Sequence, residues 1–230
     1  MTKIDKIKVG VVIPWREQPS RVQAFNVVVS WYKENLPNAK LYFPNHPGDV
    51  WLPSATRNDG VRMAEQDGCD VVVANDADTI PDLNALMEAI EAAALDDFIH
   101  LGYTKFAYLS EIGSKEFLSG KPPELCDQYV HPYVNFGVNV FKPSSWWSIG
   151  GQDEKFKQWG CEDTAMGIAH RVLKGIEFVR HRGFAFCLSH DRQPQHGNEN
   201  FENNTILFEK YSKIDNPKDM VDLINSKDIF

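Results

Sequence analysis

The chain is expected to be an α/β protein with a Rossmann-like mixed central sheet flanked by helices. Three observations support this. Short β-branched apolar runs alternate with stretches of helical periodicity through the first hundred residues. The runs are continuous rather than alternating, as in strands covered on both faces. Polar clusters follow directly after two of them, where open α/β sheets bind ligands.

Ile7 to Ile13 is an apolar run ended by Pro14 and reads as a buried strand. Ser20 is the expected N-cap of a helix through Val22, Phe25, Val28, Val29 and Tyr32, stopped near Pro37. Lys40 to Phe43 reads as a strand before the Asn45-His46-Pro47-Gly48 turn, and Ser54 as the cap of a second helix. Asp70 to Ala74 is a third strand. Ile80-Pro81-Asp82 is expected to start a helix reaching about Leu95, and Phe98 to Leu101 to form a fourth strand. This β-α-β-α-β-α-β order implies parallel strands with crossover helices. Residues 1–101 are thus a nucleotide-binding half within one domain of 230 residues.

Residues 102–215 read differently. Ser110 to Gln128 holds Gly113, Gly120 and Pro122-Pro123 and is expected to be a long loop of the kind that forms lids. Strands are expected at Asn135 to Phe141, Ile176 to Val179 and Phe184 to Leu188. Helices are expected from Pro143, over Cys161 to Leu173, and over Asn204 to Tyr211, with a polar tail at 216–230.

Hydrophobic residues make up 43% of the chain and aromatics 12%, enough for a packed core. The net charge of −8 argues against broad electrostatic binding to nucleic acid. The four cysteines, Cys69, Cys126, Cys161 and Cys187, lack CxxC spacing, so a zinc knuckle is not expected and free thiols in a reducing compartment are. No stretch approaches a membrane span.

The chemistry-bearing residues fall at strand ends. Asp76 and Asp78 follow an apolar strand; if the backbone stays extended, both carboxylates face one side. Hard oxygen ligands of this kind suit Mg²⁺ or Mn²⁺. Asp-Ala-Asp alone could equally be polar capping before a helix. Arg16 and Arg21 could pair with a diphosphate or lie solvated on the surface, and Arg57-Asn58 could serve a nucleotide or cap a helix. Glu162 and Asp163 open a helix, where the dipole favours acids in any case. His190 follows an apolar strand. His46, His100, His131, His170 and His181 read as surface or core residues.

Taken in order, Val12-Ile13-Pro14-Trp15-Arg16 with Arg21, Ala55-Thr56-Arg57-Asn58-Asp59-Gly60, Asn75-Asp76-Ala77-Asp78, and Gly150-Gly151-Gln152-Asp153-Glu154-x-Phe156 with Trp159-Gly160-x-Glu162-Asp163 form a long pattern. From about Val9 to about Phe201 the chain resembles the GT-A glycosyltransferases, in the branch of β-1,4-galactosyltransferases, chondroitin-polymerase domains and polypeptide GalNAc-transferases. The resemblance implies a GT-A fold and sugar transfer from a nucleotide-sugar donor, a UDP-sugar, with Mn²⁺ or Mg²⁺ as cofactor. It implies donor contacts from Pro14, Arg16, Arg21, Arg57, Asn58, Asp76, Trp159 and Gly160. Metal contacts would come from Asp78 and His190, with His196 the alternative to the histidine. Asp163 would be the general base and Glu162 its hydroxyl-binding neighbour; Glu-Asp rather than Glu-Asn implies inversion. Gly137-Val138-Asn139 resembles the strand between donor and acceptor sites, and Trp146-Trp147 is either core or acceptor platform. Closure of the loop at 111–128 or of that at 192–200 would exclude water and reduce donor hydrolysis.

The chain lacks the stem, anchor and disulfide pattern of secretory members, which implies a bacterial enzyme or a viral one in the host cytoplasm. The acceptor is open: glycan, protein, lipid-linked sugar or modified DNA base. A sugar nucleotidyltransferase would need a Gly-rich basic loop where Pro14-Trp15-Arg16-Glu17-Gln18-Pro19 stands. A non-catalytic nucleotide-sugar-binding protein would have no use for a base.

Overall fold

In the computed structural model, residues 6–48, 50–131, 134–191 and 199–226 are described. Strand β1 (Val9–Val12) is buried along its whole length. It pairs in parallel with β2 (Lys40–Tyr42) and β3 (Val71–Asn75). Helix α1 (Val22–Asn35) crosses from β1 to β2 and buries Ala24, Val28 and Tyr32, spaced four apart on one face. Ser20 is not its cap: Arg21 holds that position without a side-chain bond, since that side chain is engaged elsewhere. Helix α2 (Pro53–Gln66) starts with Pro53 in its first turn, where no N–H is needed, so Ser54 lies inside the helix rather than capping it.

The expected helix start at Ile80 is corrected. Thr79–Pro81 is a short strand, β4, and helix α3 (Leu83–Ala93) begins after Asp82, whose carboxylate accepts from the Ala85 N–H at 2.9 Å. β5 (His100–Leu101) runs parallel to β3, as the alternation requires, but is not its neighbour. The later β8 (Val138–Phe141) inserts between them, antiparallel to both. With β9 (Val179–Arg180) the main sheet has the order β2-β1-β3-β8-β5-β9.

A second sheet of order β4-β10-β6-β7 is built from β4, β6 (Lys105–Leu109), β7 (Gln128–His131) and β10 (Phe184–Cys187). The expected long loop at 110–128 is instead helix α4 (Glu111–Leu118), a 3-10 turn (Pro123–Leu125) and the start of β7. Ser110 caps α4 by accepting from the Gly113 N–H. Gly113 is a packing requirement rather than a turn signal, because a Cβ there would lie 1.9 Å from the Asp127 carbonyl oxygen.

Pro143–Trp147 forms helix α5, Glu162–Lys174 α6 and Glu199–Ser212 α7. The expected polar tail contains helix α8 (Pro217–Asn225), whose Met220 is fully buried against Phe156, Leu207 and Tyr211. The tryptophan pair is also resolved. Trp146 is a core residue stacked on Phe141, whereas Trp147 lies half-buried against α2, its indole N–H on Glu65.

Candidate active site

β1 and β3 end side by side, and their next residues open the site. Asn75 shapes the second opening. Its buried amide donates to the carbonyls of Asp76 (2.7 Å) and Thr79 (2.8 Å) and accepts from the Tyr32 hydroxyl (2.7 Å). This closes residues 76–79 into a turn instead of continuing the strand. Asp76 and Asp78 therefore do not share one face, as an extended backbone would require. They point into two different clusters.

The first cluster surrounds Arg57, near the start of α2. One of its nitrogens lies 2.7 Å from Asp76 Oδ1. The other lies 3.0 Å from Gln152 Oε1, 3.6 Å from Asp163 Oδ1 and 3.8 Å from Glu162 Oε1. Burial works against the Arg57 charge, but the Asp163, Asp76 and Glu162 carboxylates outweigh it and hold its pKa above the ordinary range. Three carboxylates around one cation leave a buried excess of negative charge, which favours protonated carboxyls. Burial pushes Glu162 up, and it pushes Asp163 up to about 8, with Arg57 opposing in both cases. Gln152 Nε2 donates to Asp163 Oδ1 at 2.6 Å. The resemblance quotes Gln152 without a role, yet this 1%-exposed amide joins Arg57 to Asp163.

Asn58 stands beside this cluster but faces away from it. Its amide donates to Gln152 O and Glu154 Oε1 and accepts from the Trp146 indole and the Gln152 N–H. All its hydrogen-bonding capacity is filled by protein. Asn58 anchors the 150–154 turn to α2. Asp153 is likewise bound to the Tyr211 hydroxyl at 2.8 Å, so much of the Gly-Gly-x-Asp-Glu signature serves architecture.

The second cluster surrounds Asp78, which is 5% exposed. His190 Nε2 lies 3.0 Å from its Oδ2, Arg21 Nη2 lies 3.3 Å from the same oxygen, and Thr79 donates to Oδ1 at 3.2 Å. Burial alone would raise the Asp78 pKa; the His190 hydrogen bond and the Arg21 charge overcome it and keep the carboxyl below its usual range. Cys187 Sγ is 3.7 Å from Asp78 Oδ1. Ligand atoms of Asp78, Cys187 and His190 all lie within 4.8 Å of one another. Arg21 Nη2 is also 2.9 Å from His190 Nε2, so a cationic group already rests on the carboxylate and the imidazole. Such a donor set fits a divalent cation.

Arg16 is not brought to either carboxylate. Its guanidinium donates to the carbonyls of His46 (2.9 Å) and Gly48 (2.8 Å) and lies over Trp51, tying down the 45–48 turn. Pro14 is buried behind it and Trp15 stacks on Phe25 at 4.1 Å. Trp159 is 54% exposed and stacks with Phe201. Gly160 has φ +125°, and a Cβ there would meet the Phe201 ring at 2.8 Å. Its N–H donates to Glu162 Oε2 at 2.9 Å. Gln158 and Cys161 also have positive φ (57° and 72°), so this approach to α6 holds non-glycine residues in a sparsely populated conformation. His196 and residues 192–198 lie outside the described residues.

Neither a scan against protein-family models nor a search of curated proteins gives a match. In structure the chain is similar to the catalytic domain of Drosophila β1,4-galactosyltransferase 7 in complex with xylobiose. The identity is 16%, covering 77% of this chain and 67% of that one, with a TM-score of 0.50. It is similar to a variant of the same enzyme complexed with manganese, UDP-Gal and xylobiose, at 16% identity over 76% and 65% of the two chains (TM-score 0.51). GalNAc-T7 with UDP, GalNAc and Mn²⁺ matches at 11% identity over 90% of this chain and 50% of that one (TM-score 0.57). The chain thus spans about half to two thirds of the length of these structures. The mixed sheet with antiparallel β8 inserted between β3 and β5, together with these likenesses, gives this chain the GT-A fold of the nucleotide-diphospho-sugar transferases.

Proposed function

We propose that this chain is a divalent-metal-dependent glycosyltransferase that moves a sugar from a UDP-sugar to an acceptor hydroxyl with inversion. The observation that carries this reading is the division of one turn between two clusters. Asp78 meets an imidazole and a guanidinium, and Asp76 meets the arginine that also borders a high-pKa carboxyl. The structurally similar proteins that hold Mn²⁺ with UDP-Gal or UDP support the choice of ion and nucleotide.

In this reading Asp78 and His190 would hold the ion, Mn²⁺ or Mg²⁺, which would supply positive charge to stabilise a departing diphosphate. Arg21, already at that pole, supplies further positive charge to the leaving group; Arg16 shapes the neighbouring turn with Pro14 behind it. Asp76 and Arg57 border the donor. Asp163 takes the acceptor hydroxyl proton as its oxygen attacks the anomeric carbon and the bond to the diphosphate breaks on the opposite side. Gln152 keeps the Asp163 oxygen aimed, and Glu162 fixes the Trp159-Gly160 approach through the Gly160 N–H. Trp159 offers an apolar face to a sugar ring. A bacterial or virus-infected host cytoplasm fits four free cysteines. No helix among the described residues is long and apolar enough to cross a membrane.

The test is release of free nucleotide from a panel of nucleotide sugars, with and without Mn²⁺. Metal-dependent turnover of a UDP-sugar is the expected result. Failure of every donor to bind or turn over with Mn²⁺ present contradicts the reading. NMR assignment of the product anomer then checks inversion; retention would remove the role given to Asp163.

A further inference from the structure

We propose that Lys155 is a positioning residue: by fastening helix α8 to residues 150–156, it holds the Gln152 amide against the Asp163 carboxyl. This rests on the reading of Asp163 as the base and adds to it a residue and a helix outside the site.

Residues 150–156 are gripped from two sides. On the site side, the Gln152 backbone is bonded at both its N–H and its carbonyl to the Asn58 amide of α2. On the far side, Asp153 accepts from the Tyr211 hydroxyl of α7, and Phe156 is buried with Leu207 of α7 and Met220 of α8. The two glycines before Gln152 fit between these neighbours, both at positive φ (87° and 67°). A Cβ on Gly150 would lie 2.5 Å from the Ile224 side chain of α8. One on Gly151 would lie 2.8 Å from Asn58 Oδ1 and from the Trp146 indole nitrogen. Helix α8 therefore rests directly on the turn that carries Gln152. It also packs on α6, the helix that carries Asp163. Ile224, Tyr211 and Glu162 help to line a cavity of about 10 Å³ behind the carboxyl cluster, room for about one water.

Lys155 is the fastening. Its ammonium donates to the carbonyls of Leu223 (2.9 Å) and Ser226 (3.2 Å) at the end of α8 and lies 3.2 Å from Asp153 Oδ2. The last carbonyls of a helix lack intrahelical partners and form its negative end, so a cation there serves both needs. The Lys155 N–H donates to Asp153 Oδ1 at 2.9 Å, so one residue holds both Asp153 oxygens while it caps α8. Without the ammonium, Asp153 becomes a largely buried carboxylate short of its cation, and the end of α8 loses its cap. The charged residues of α8 itself, Lys218, Asp219 and Asp222, are exposed. Around the Asp163 carboxyl stand Arg57 from α2, Asp76 from the turn after β3, its neighbour Glu162, and Tyr103 from the segment after β5. Gln152 is the link from these groups to Lys155, because its amide touches Asp163 and its backbone precedes Asp153.

The test is a double-mutant cycle in the full chain: Lys155→Met, Gln152→Leu and both together. Two quantities are read, kcat with donor KM and the titration of the Asp163 carboxyl by NMR, which needs no activity. Lys155→Met alone is expected to lower kcat by about 10-fold or more with donor KM unchanged. It should also move the Asp163 titration above about 8, because the Gln152 hydrogen bond lowers it. In the Gln152→Leu background the same substitution should add nothing to either. Ile224→Ala, which changes no charge, should show the same dependence on Gln152 and serves if Lys155→Met does not fold. The exposed α8 substitution Val221→Ser should leave both readings unchanged. Equal effects in both backgrounds overturn the proposal, since they would come from charge or general loosening. A lowered Tm with kcat and titration unmoved overturns it as well. If the unmutated chain turns over no donor, the transferase reading falls, and the titration cycle alone decides whether Lys155 places Gln152.

Discussion

Asp76 and Asp78 are separated by one alanine, yet their surroundings have opposite electrostatic character. Asp78 is one carboxylate facing an arginine and an imidazole, and its pKa is held down. Asp76 is one of three carboxylates sharing Arg57, and in that cluster the pKa values of Glu162 and Asp163 rise. A single turn, set by the Asn75 amide, thus joins a pole suited to hold a cation to a pole suited to accept a proton. The proposed inverting transfer would use both, the cation for the leaving diphosphate and the carboxyl for the acceptor proton.

The largest expected effect breaks the proton pole alone. Asp163→Asn keeps the oxygen that accepts from Gln152 and removes the base. We expect kcat to fall by about 10²–10⁴-fold, with metal-assisted UDP affinity unchanged by calorimetry. Loss of UDP affinity instead would mean that the two poles are not separate. Arg57→Ala removes the one cation among three carboxylates. Breaking a buried pair in this way costs about 3–5 kcal/mol, to be read by urea denaturation. Arg57→Lys is expected to recover little of it, because an ammonium cannot fork between Asp76 and Gln152. Gln152→Leu leaves the Asp163 oxygen without its amide partner, at a cost of about 1–3 kcal/mol. Because that hydrogen bond lowers the Asp163 pKa, its loss should also move the pH profile upward.

The smallest effect is the profile itself. A base must be deprotonated, so kcat/KM is expected to rise with pH and level off above about 8. The same shift carries a stability sign. A carboxyl whose pKa is raised in the fold contributes stability that is full below its ordinary 3.8 and lost as pH rises through about 8. The gain in Tm from Asp163→Asn should therefore be larger at pH 8 than at pH 5.

How far the sequence reached depends on where each signal resided. The apolar runs of β1 and β3 are covered on both faces, and composition alone reveals such strands. β4 is three residues long and contains Pro81, tolerated because β4 is an edge strand, and there the local signal resembles a helix start. β7 is also an edge strand, half-exposed and without an apolar alternation to read. Gly113 looked like loop chemistry because the Asp127 backbone that excludes a side chain there is distant in sequence. The motifs named the right segments for the site, but not the partnerships within them. Asn58 was legible as a polar residue at a helix start, not as the anchor of residues 150–154. Gln152 and Cys187 gave no signal, because their meaning comes from Asp163 and Asp78, which only the strand pairing and the start of α6 bring to them. Asp-x-Asp spacing suggested one shared face; the Asn75 turn, which no periodicity reveals, divided it.

That division is tested most directly by calorimetric titration of UDP into the chain with and without Mn²⁺, in unmutated, Asp78→Asn and Asp76→Asn forms. Mn²⁺ should strengthen UDP binding in the unmutated chain and in Asp76→Asn, and do nothing in Asp78→Asn. Equal loss of the metal effect in both variants would place the two carboxylates on one ion and contradict the two-pole site.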